Sequence, residues 1–181
     1  SVNFGVIYGI TGFWLSKTLD CSPWEANAYI DAFYKKYPKV RSYYDNLLEE
    51  WRKNGYVETF FGRRRNIPGL ADANKTIRGI SEREAMNMPI QWTAADILKL
   101  AMIDIAEEIK AKNLKGKMLL QVHDELVFDI PVAEKEAFLE LVRDNMENVL
   151  SKETFHAIKK NDIPPLVVDI HTGKNWTEAK G

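Results

Sequence analysis

The sequence predicts an α+β fold in which helices predominate and short antiparallel strands carry the chemistry. Apolar residues recur at helical spacing along most of the chain. Residues that start and stop helices separate these stretches. Two short β-forming runs, residues 118–122 and 126–130, flank His123-Asp124-Glu125. The chain of 181 residues is 45% hydrophobic, which suffices for a substantial core and argues against a disordered protein.

The composition excludes several classes of protein. Cys21 is the lone cysteine, which excludes an internal disulfide framework and fits a reducing compartment. No apolar run approaches the length of a membrane span, and the first residues carry no signal-peptide pattern. Residues 1–80 hold 12 Lys and Arg against 8 Asp and Glu, whereas residues 81–181 hold 13 against 18. This asymmetry is compatible with an anion-binding half and a metal-binding half.

The first 55 residues predict four helices. Residues 1–9 read as the end of a helix that Gly9 stops, and residues 11–19 as a short helix. Ser22-Pro23-Trp24-Glu25 has a capping Ser, Pro at the first helical position and Glu at the third. Pro38 ends that helix, and a further apolar stripe leads to a stop at Gly55. Both of these longer helices are expected to form core.

Phe4 and Tyr8 lie four residues apart and therefore share one face of the first helix. Two interpretations are open for this pair. One is ordinary core packing, and the other is an aromatic platform that meets a nucleic-acid base.

A strand is predicted over residues 56–60, followed by a turn at Gly62 and by Arg63-Arg64-Arg65. Guanidinium groups grip phosphate with two parallel hydrogen bonds, so three arginines beside glycine and aromatic residues suit phosphate contacts. A solvated basic turn is the alternative. Residues 66–75 are predicted to be a loop.

The longest predicted helix begins at Thr76 or Ser81 and runs to about residue 112. Arg83, Asn87 and Gln91 follow one another at steps of four on one face of this helix, where a core helix would carry aliphatic side chains. Such a row suits a reader of the DNA minor groove, whose floor offers mainly acceptors, although a solvent-facing stripe is the alternative. Pro89 is expected to bend the helix or remove a hydrogen bond.

The two β-forming runs predict a hairpin whose tip presents His123, Asp124 and Glu125. Adjacent carboxylates on a rigid support suit a hard cation such as Mg²⁺, which takes oxygen ligands and keeps positions for water and phosphate. A solvated acidic turn is the alternative. A helix is predicted after Pro131, a loop over residues 152–165, and a strand over residues 166–170.

Three segments in order carry a resemblance that none of them carries alone: NFGVIYG, NMPIQ-x-TAAD and QVHDELVF. With FFGRRR between the first two and NWTEAK at the end, the chain resembles the C-terminal half of a family A DNA polymerase of the bacterial DNA polymerase I type. The resemblance covers essentially the whole chain. It implies a right-hand polymerase fragment, with a helical fingers portion at 1–75 and, at 76–181, a palm portion with an antiparallel sheet and flanking helices.

The resemblance also implies roles for single residues. Phe4 and Tyr8 match the aromatic residues beside the incoming sugar and the templating base. Arg83, Asn87 and Gln91 match residues that reach the primer-template minor groove, and Arg63, Arg64 and Arg65 are expected to bind DNA. His123 matches a residue near the primer end, Asp124 one of two metal-binding catalytic aspartates, and Glu125 its acidic neighbour. The implied cofactor is two Mg²⁺ ions, the implied partners are primer-template DNA and dNTP, and the implied location is the cytoplasm of a bacterial or phage-infected cell.

Two departures from the family pattern stand out. The triphosphate-holding Arg and Lys and the motif with the second metal aspartate are absent from the sequence, so an N-terminal polymerase fragment is expected as a separate or ligated partner. Trp92 stands where the family usually has Gly, and its indole either fills a gap or shifts the helix relative to DNA. The leading function is therefore a polymerase component, and the alternatives are a catalytically incomplete DNA-binding fragment and a purely structural one.

Ser1 adds a further expectation about the origin of the chain. Protein-splicing elements are followed by Ser, Thr or Cys, because a hydroxyl or thiol can accept an acyl group. Ser1 is thus either the junction of a split or intein-interrupted polymerase or a cloning or proteolytic boundary.

Overall fold

The computed structural model describes residues 2–151 and 165–180, and within these ranges the chain is mostly helical with two small antiparallel sheets. The predicted α+β class is therefore confirmed at this level. The chain forms two compact units, residues 1–93 and 94–181. The predicted division into a fingers portion at 1–75 and a palm portion at 76–181 stays a prediction.

Helices build most of the first unit. Its elements are α1 (Val2–Ile7), α2 (Gly12–Leu19), α3 (Pro23–Lys36), α4 (Pro38–Asn54), β1 (Tyr56–Glu58), β2 (Arg64–Asn66) and the first part of α5 (Lys75–Ala111). A 3₁₀ turn, Pro68–Ala71, lies between β2 and α5. The single long helix predicted from about residue 76 to 112 is confirmed, with Pro89 inside it.

The predicted helix boundaries follow from local chemistry. Ser22 and Glu25 form a reciprocal capping box at the start of α3, with Pro23 in the first turn. α1 is followed by Gly9 at φ 73°, and α4 ends at Gly55 at φ 80°. Glycine adopts this left-handed backbone without steric cost, so both helices end where the sequence predicts. Pro38 separates α3 from α4 by occupying the first turn of α4.

The core of the first unit forms where α4 and α5 meet the small sheet. Trp92, Trp51 and Leu48 are partly buried against a cluster of fully buried side chains. That cluster consists of Leu47, Val57, Ile67, Leu70, Ala85 and Met88. Each such side chain contributes about 1.5–3 kcal/mol when it leaves water, apart from the small Ala85.

The second unit packs a hairpin against two helices. After the end of α5 its elements are β3 (Lys117–Val122), β4 (Glu125–Asp129), α6 (Lys135–Glu147) and α7 (Trp176–Lys180). Short 3₁₀ turns lie at Val132–Glu134 and Val149–Ser151. Buried Ile105, Phe138, Leu141 and Val142 form the core, and the hairpin residues Met118, Leu126 and Phe128 pack against it.

Some predicted features differ from the structure. The strand predicted over residues 166–170 does not form, because no described residue pairs with this segment; the backbone N–H of Val168 instead donates to Glu147 Oε1 at 3.0 Å. No strand is predicted for Arg64 and Arg65, which follow the turn at Gly62, yet they lie in β2, which pairs antiparallel with β1. Strand β1 ends at Glu58, two residues before the predicted end at residue 60.

Some expectations lie outside the residues that the structure describes. These are Ser1 and most of the loop predicted over residues 152–165. Among the helices of the described ranges, none combines the length and apolar character that crossing a membrane requires.

Candidate functional site

The hairpin of the second unit holds His123 and Asp124 in a two-residue turn. Val122 pairs with Glu125, so only these two residues connect the strands. His123 has φ 55°, a left-handed conformation that is uncommon for a residue other than glycine. The side-chain amide of Gln121 supports the turn by donating to the carbonyl oxygen of His123 at 3.2 Å. Backbone strain of this kind concentrates at functional sites.

The two carboxylates differ in their setting. Asp124 is exposed in the turn, whereas Glu125 is the first residue of β4 and not part of the tip as predicted. Glu125 Oε2 lies 3.5 Å from Lys180 Nζ, which belongs to the short C-terminal helix α7. The ammonium of Lys180 also lies 5.5 Å from the ring centroid of Trp176. Both carboxylates are exposed, but Glu125 is partly neutralised by Lys180, whereas Asp124 lies in the turn itself.

The donor set fits half of a magnesium site. Mg²⁺ needs only one or two protein carboxylates when waters and substrate phosphates supply the remaining oxygens. Asp124 and Glu125 provide such oxygens. In the part of the chain that the structure describes, no three His, Cys, Asp or Glu residues are grouped so that they could hold a metal ion.

The end of α1 is fixed against other parts of the first unit. The hydroxyl of Tyr44 donates a hydrogen bond of 2.6 Å to the carbonyl oxygen of Ile7, and burial raises the pKa of the Tyr44 phenol to about 12. A Cβ added at Gly9 would lie 2.9 Å from Arg83 Cγ. Tyr8, which lies between Ile7 and Gly9 in sequence, is half-buried. The side chain of Phe4 lies outside what the structure describes.

Arg83, Asn87 and Gln91 lie on α5, as predicted. Gln91 is exposed, whereas Arg83 and Asn87 are half-buried. Oδ1 of Asn87 is buried and lacks a hydrogen-bond partner among the described residues. A buried acceptor without a partner costs stability, and water or a bound molecule commonly satisfies it.

The three arginines each approach an aromatic ring. The guanidinium carbons of Arg63 and Arg65 lie 4.3 Å and 5.0 Å from the ring centroid of Trp92. Arg64 lies 4.4 Å from the ring centroid of Tyr56. All three guanidinium groups therefore lie against aromatic rings of the first unit.

Acidic residues also hold two of these arginines. Arg64 Nε is 3.3 Å from Glu58 Oε2, and Arg65 forms an ion pair with Glu84 of α5. Arg63 Nη2 donates to the carbonyl oxygen of Trp92 at 3.1 Å. Arg65 of β2 thus contacts a side chain of α5, and Arg63, just before β2, contacts the backbone of α5.

The predicted residues therefore fall into two groups. The first unit contains Tyr8, the row on α5 and the arginines, and it brings Arg83 beside the residue that follows Tyr8. The second unit contains His123, Asp124 and Glu125.

Three residues organise the first group in ways that the sequence did not predict. Tyr44 was expected only on the apolar stripe of its helix, Trp92 was expected to fill a gap or shift its helix, and Glu84 was given no role. Tyr44 had a signal in its position on the apolar stripe, but its contact with Ile7 joins residues 37 positions apart. No local pattern indicates the contacts of Trp92 or Glu84.

Comparison with known proteins connects this arrangement to a family. The profile described as DNA polymerase family A matches residues 1–178. The chain is 43% identical over 180 residues to DNA polymerase I of Caldicellulosiruptor bescii, and 42% identical to the thermostable DNA polymerase I of Thermus filiformis. Each alignment covers 99% of this chain and 20% of the relative, so the chain spans about a fifth of the length of these curated relatives.

A solved structure agrees with the sequence comparison. The fold matches the POL domain of Pol1 from M. smegmatis, in complex with DNA primer-template and dNTP, with a TM-score of 0.86 and 35% identity. That match covers 99% of this chain and 30% of the other. A profile match over nearly every residue, supported by the same fold, means that this chain belongs to DNA polymerase family A.

Proposed function

We propose that the chain is the C-terminal part of a template-directed DNA polymerase that adds deoxynucleotides to a primer 3′-OH. The observation that carries the proposal is the exposed Asp124 in a two-residue turn of the β3–β4 hairpin. The turn presents a carboxylate on a rigid two-stranded support, within a chain that belongs to a polymerase family.

The chemistry would be in-line attack of the primer hydroxyl on the α-phosphate, with pyrophosphate leaving. Asp124 would hold Mg²⁺, with Glu125 as its acidic neighbour. When bound, the two ions supply positive charge that stabilises the phosphoryl-transfer transition state. His123 would lie near the primer end, where the left-handed turn fixes its backbone.

The first unit would bind the nucleic acid and the nucleotide. Phe4 and Tyr8 would contact the incoming sugar and the templating base. Arg83, Asn87 and Gln91 would donate to acceptors on the minor-groove floor, whose pattern suits such side chains. Arg63, Arg64 and Arg65 would bind backbone phosphates. The solved relative in complex with DNA primer-template and dNTP supports these two classes of partner.

An N-terminal polymerase fragment would complete the enzyme. The described residues contain no metal-binding group of three, and the sequence lacks a counterpart of the second metal aspartate and of the triphosphate-holding Arg and Lys. We infer that an N-terminal part of the polymerase supplies them, since the chain spans only about a fifth of the length of its curated relatives. In that assembly residues 1–75 would belong to the fingers and residues 76–181 to the palm.

A catalytically incomplete DNA-binding fragment is the second candidate. It is favoured by the same lack of a metal-binding group of three among the described residues. In that case the arginines and the α5 row would bind DNA, and Asp124 would have no catalytic partner.

Primer extension separates the two functions. The chain is mixed with an N-terminal fragment of the same polymerase, and extension of a labelled primer is followed with Mg²⁺ and dNTP. The polymerase proposal expects no extension by this chain alone and extension by the mixture. Extension by this chain alone would contradict the two-piece proposal. DNA binding by a stable complex that does not extend the primer would favour the binding fragment.

A further inference from the structure

Trp92 lies at the centre of the basic segment in the first unit. Two guanidinium groups lie over its indole ring, those of Arg63 at 4.3 Å and Arg65 at 5.0 Å from the ring centroid. The indole is half-buried and packs against the buried core cluster of this unit. It is therefore anchored on one side by apolar contacts and carries the arginines on its exposed part.

The contacts of this indole hold the arginines without consuming all of their donors. A guanidinium stacked on an aromatic ring keeps its in-plane N–H groups available for a carboxylate or a phosphate. Arg63 donates to the carbonyl oxygen of Trp92 at 3.1 Å. Arg65 pairs with Glu84, and its side chain is still 36% exposed. A guanidinium has five N–H donors, so the exposed part of Arg65 can also meet an external anion.

Glycine at position 92 would remove this support. It offers no ring for the two guanidinium groups and no apolar contact with the core. Arg65 would keep its ion pair with Glu84 and Arg63 its bond to the backbone carbonyl, but both guanidinium groups would lose the ring that fixes their position. Ordering these long side chains against phosphate then costs entropy, and a contact that does not form neutralises no phosphate. A residue that orders the arginines beforehand reduces that cost.

We propose that Trp92 is a positioning residue that pre-orders Arg63 and Arg65 for contact with DNA backbone phosphates. The proposal rests on the proposed DNA-binding function. Trp92 is the residue at which this sequence departs from the family pattern. The proposal gives it a role in nucleic-acid binding in addition to filling space in the core. The partner is recognised by phosphate chemistry alone, so the contribution is independent of base sequence.

The test measures how the affinity for primer-template DNA depends on salt. The polymerase assembled from this chain and its N-terminal fragment is titrated at several salt concentrations, and log Kobs is plotted against log salt. Each phosphate neutralised contributes about −0.9 to the slope on duplex DNA. Trp92→Leu keeps an apolar side chain without an aromatic face, and Trp92→Phe keeps an aromatic face.

Trp92→Leu is expected to make the slope less negative by about one to two and to weaken binding at moderate salt about two- to five-fold, as expected for loss of cation–π support. Trp92→Phe is expected to stay close to the unsubstituted protein. Trp24→Leu is the control, because this tryptophan is 79% exposed on α3, and it should leave the slope unchanged. Thermal unfolding of each variant checks that the fold survives.

Equal slopes for the Leu and Phe variants, whether both reduced or both unchanged, would overturn the positioning role. A steeper slope for Trp92→Leu would also overturn it, because the indole would then be withholding the arginines from DNA. If the unsubstituted assembly does not bind primer-template DNA at all, the proposed function fails instead. That outcome is visible before any variant is compared.

Discussion

The side-chain amide of Gln121 donates a 3.2 Å hydrogen bond to the carbonyl oxygen of His123. This bond braces a turn in which His123 has φ 55°. A side chain other than glycine costs on the order of 1–2 kcal/mol in the left-handed region. The chain keeps a histidine there, beside the proposed catalytic carboxylate Asp124.

His123→Gly should therefore separate stability from activity. Relief of the strained backbone, offset in part by the greater freedom of glycine in the unfolded chain, predicts a gain of up to about 1 kcal/mol in the free energy of unfolding. Primer extension by the assembled enzyme should fall, because the side chain that we propose to lie near the primer end is lost. Urea unfolding and extension rates measure the two effects. A gain in stability with undiminished extension would remove His123 from the site.

Gln91→Ala tests the polar row on α5. Gln91 is exposed on this helix, and loss of one hydrogen bond to a base edge costs about 0.5–1.5 kcal/mol. We expect slower extension and a changed ratio between matched and mismatched primer ends. Glu107→Ala, at an exposed position farther along α5, is the control. Unchanged extension from both kinds of end would assign Gln91 to a solvent-facing stripe.

Gly116→Ala tests how closely the hairpin packs on α6. A Cβ at Gly116 would lie 2.8 Å from Phe138 Cδ2 and 2.9 Å from Ile130 Cγ2, and the Phe138 ring is buried. Overpacking of this kind costs about 1–3 kcal/mol. We expect this loss in the free energy of unfolding, measured by urea denaturation.

Gly79→Ala is the matched control for that substitution. Gly79 lies inside α5, and the nearest atom to an added Cβ is Arg83 Nη1 at 3.8 Å. Alanine is favoured over glycine in a helix by roughly 0.5–1 kcal/mol, so this variant should be more stable. Similar changes in both variants would show that the packing around Gly116 is not the cause.

Ser22→Ala gives a pH-dependent prediction at the start of α3. Glu25 Oε2 accepts hydrogen bonds from the backbone N–H of Ser22 at 3.0 Å and from its hydroxyl at 2.8 Å. These bonds, the backbone one first, lower the pKa of Glu25 from its ordinary value of 4.5. A lowered folded-state pKa stabilises the fold above pH 4.5, and this contribution is lost as the pH falls through the folded-state pKa.

The stability difference between Ser22→Ala and the unsubstituted chain should therefore be present at pH 7 and smaller at pH 3. Alanine removes the hydroxyl that caps the helix, a loss that destabilises helices in general. Ser42→Ala is the control, because its hydroxyl donates to the Pro38 carbonyl and not to a carboxylate. A Ser22→Ala difference that is the same at both pH values would contradict the linkage to Glu25.

The parts of the fold that the sequence predicts are those set by neighbours along the chain. The capping box of Ser22 and Glu25 and the glycine stops at Gly9 and Gly55 depend on residues within one helical turn. The hairpin around Asp124 depends on two adjacent β-forming runs. In these cases local preference and the final structure agree.

The remaining features depend on contacts between distant residues. The stacking of Arg63 on Trp92 joins positions 29 apart, and neither residue's neighbours indicate it. Residues 166–170 illustrate the converse case, in which the local pattern of a strand is present but no strand forms. Their burial alternates between half-buried and exposed as in a strand, but a strand also needs a pairing partner, and the described residues supply none.

The central claim is that Asp124 is a catalytic metal-binding carboxylate, and single-turnover incorporation by Asp124→Asn tests it most directly. The assembled enzyme, pre-bound to primer-template DNA, is mixed with dNTP at saturating Mg²⁺, and DNA affinity is measured in parallel. Asp129→Asn, at the exposed end of β4, is the control, and Glu125→Gln should have a milder effect than Asp124→Asn. We predict that Asp124→Asn lowers the incorporation rate by orders of magnitude while DNA affinity stays largely intact, because an amide cannot replace a carboxylate that balances the charge of the metal ions. Incorporation at a near-normal rate by Asp124→Asn would contradict the account.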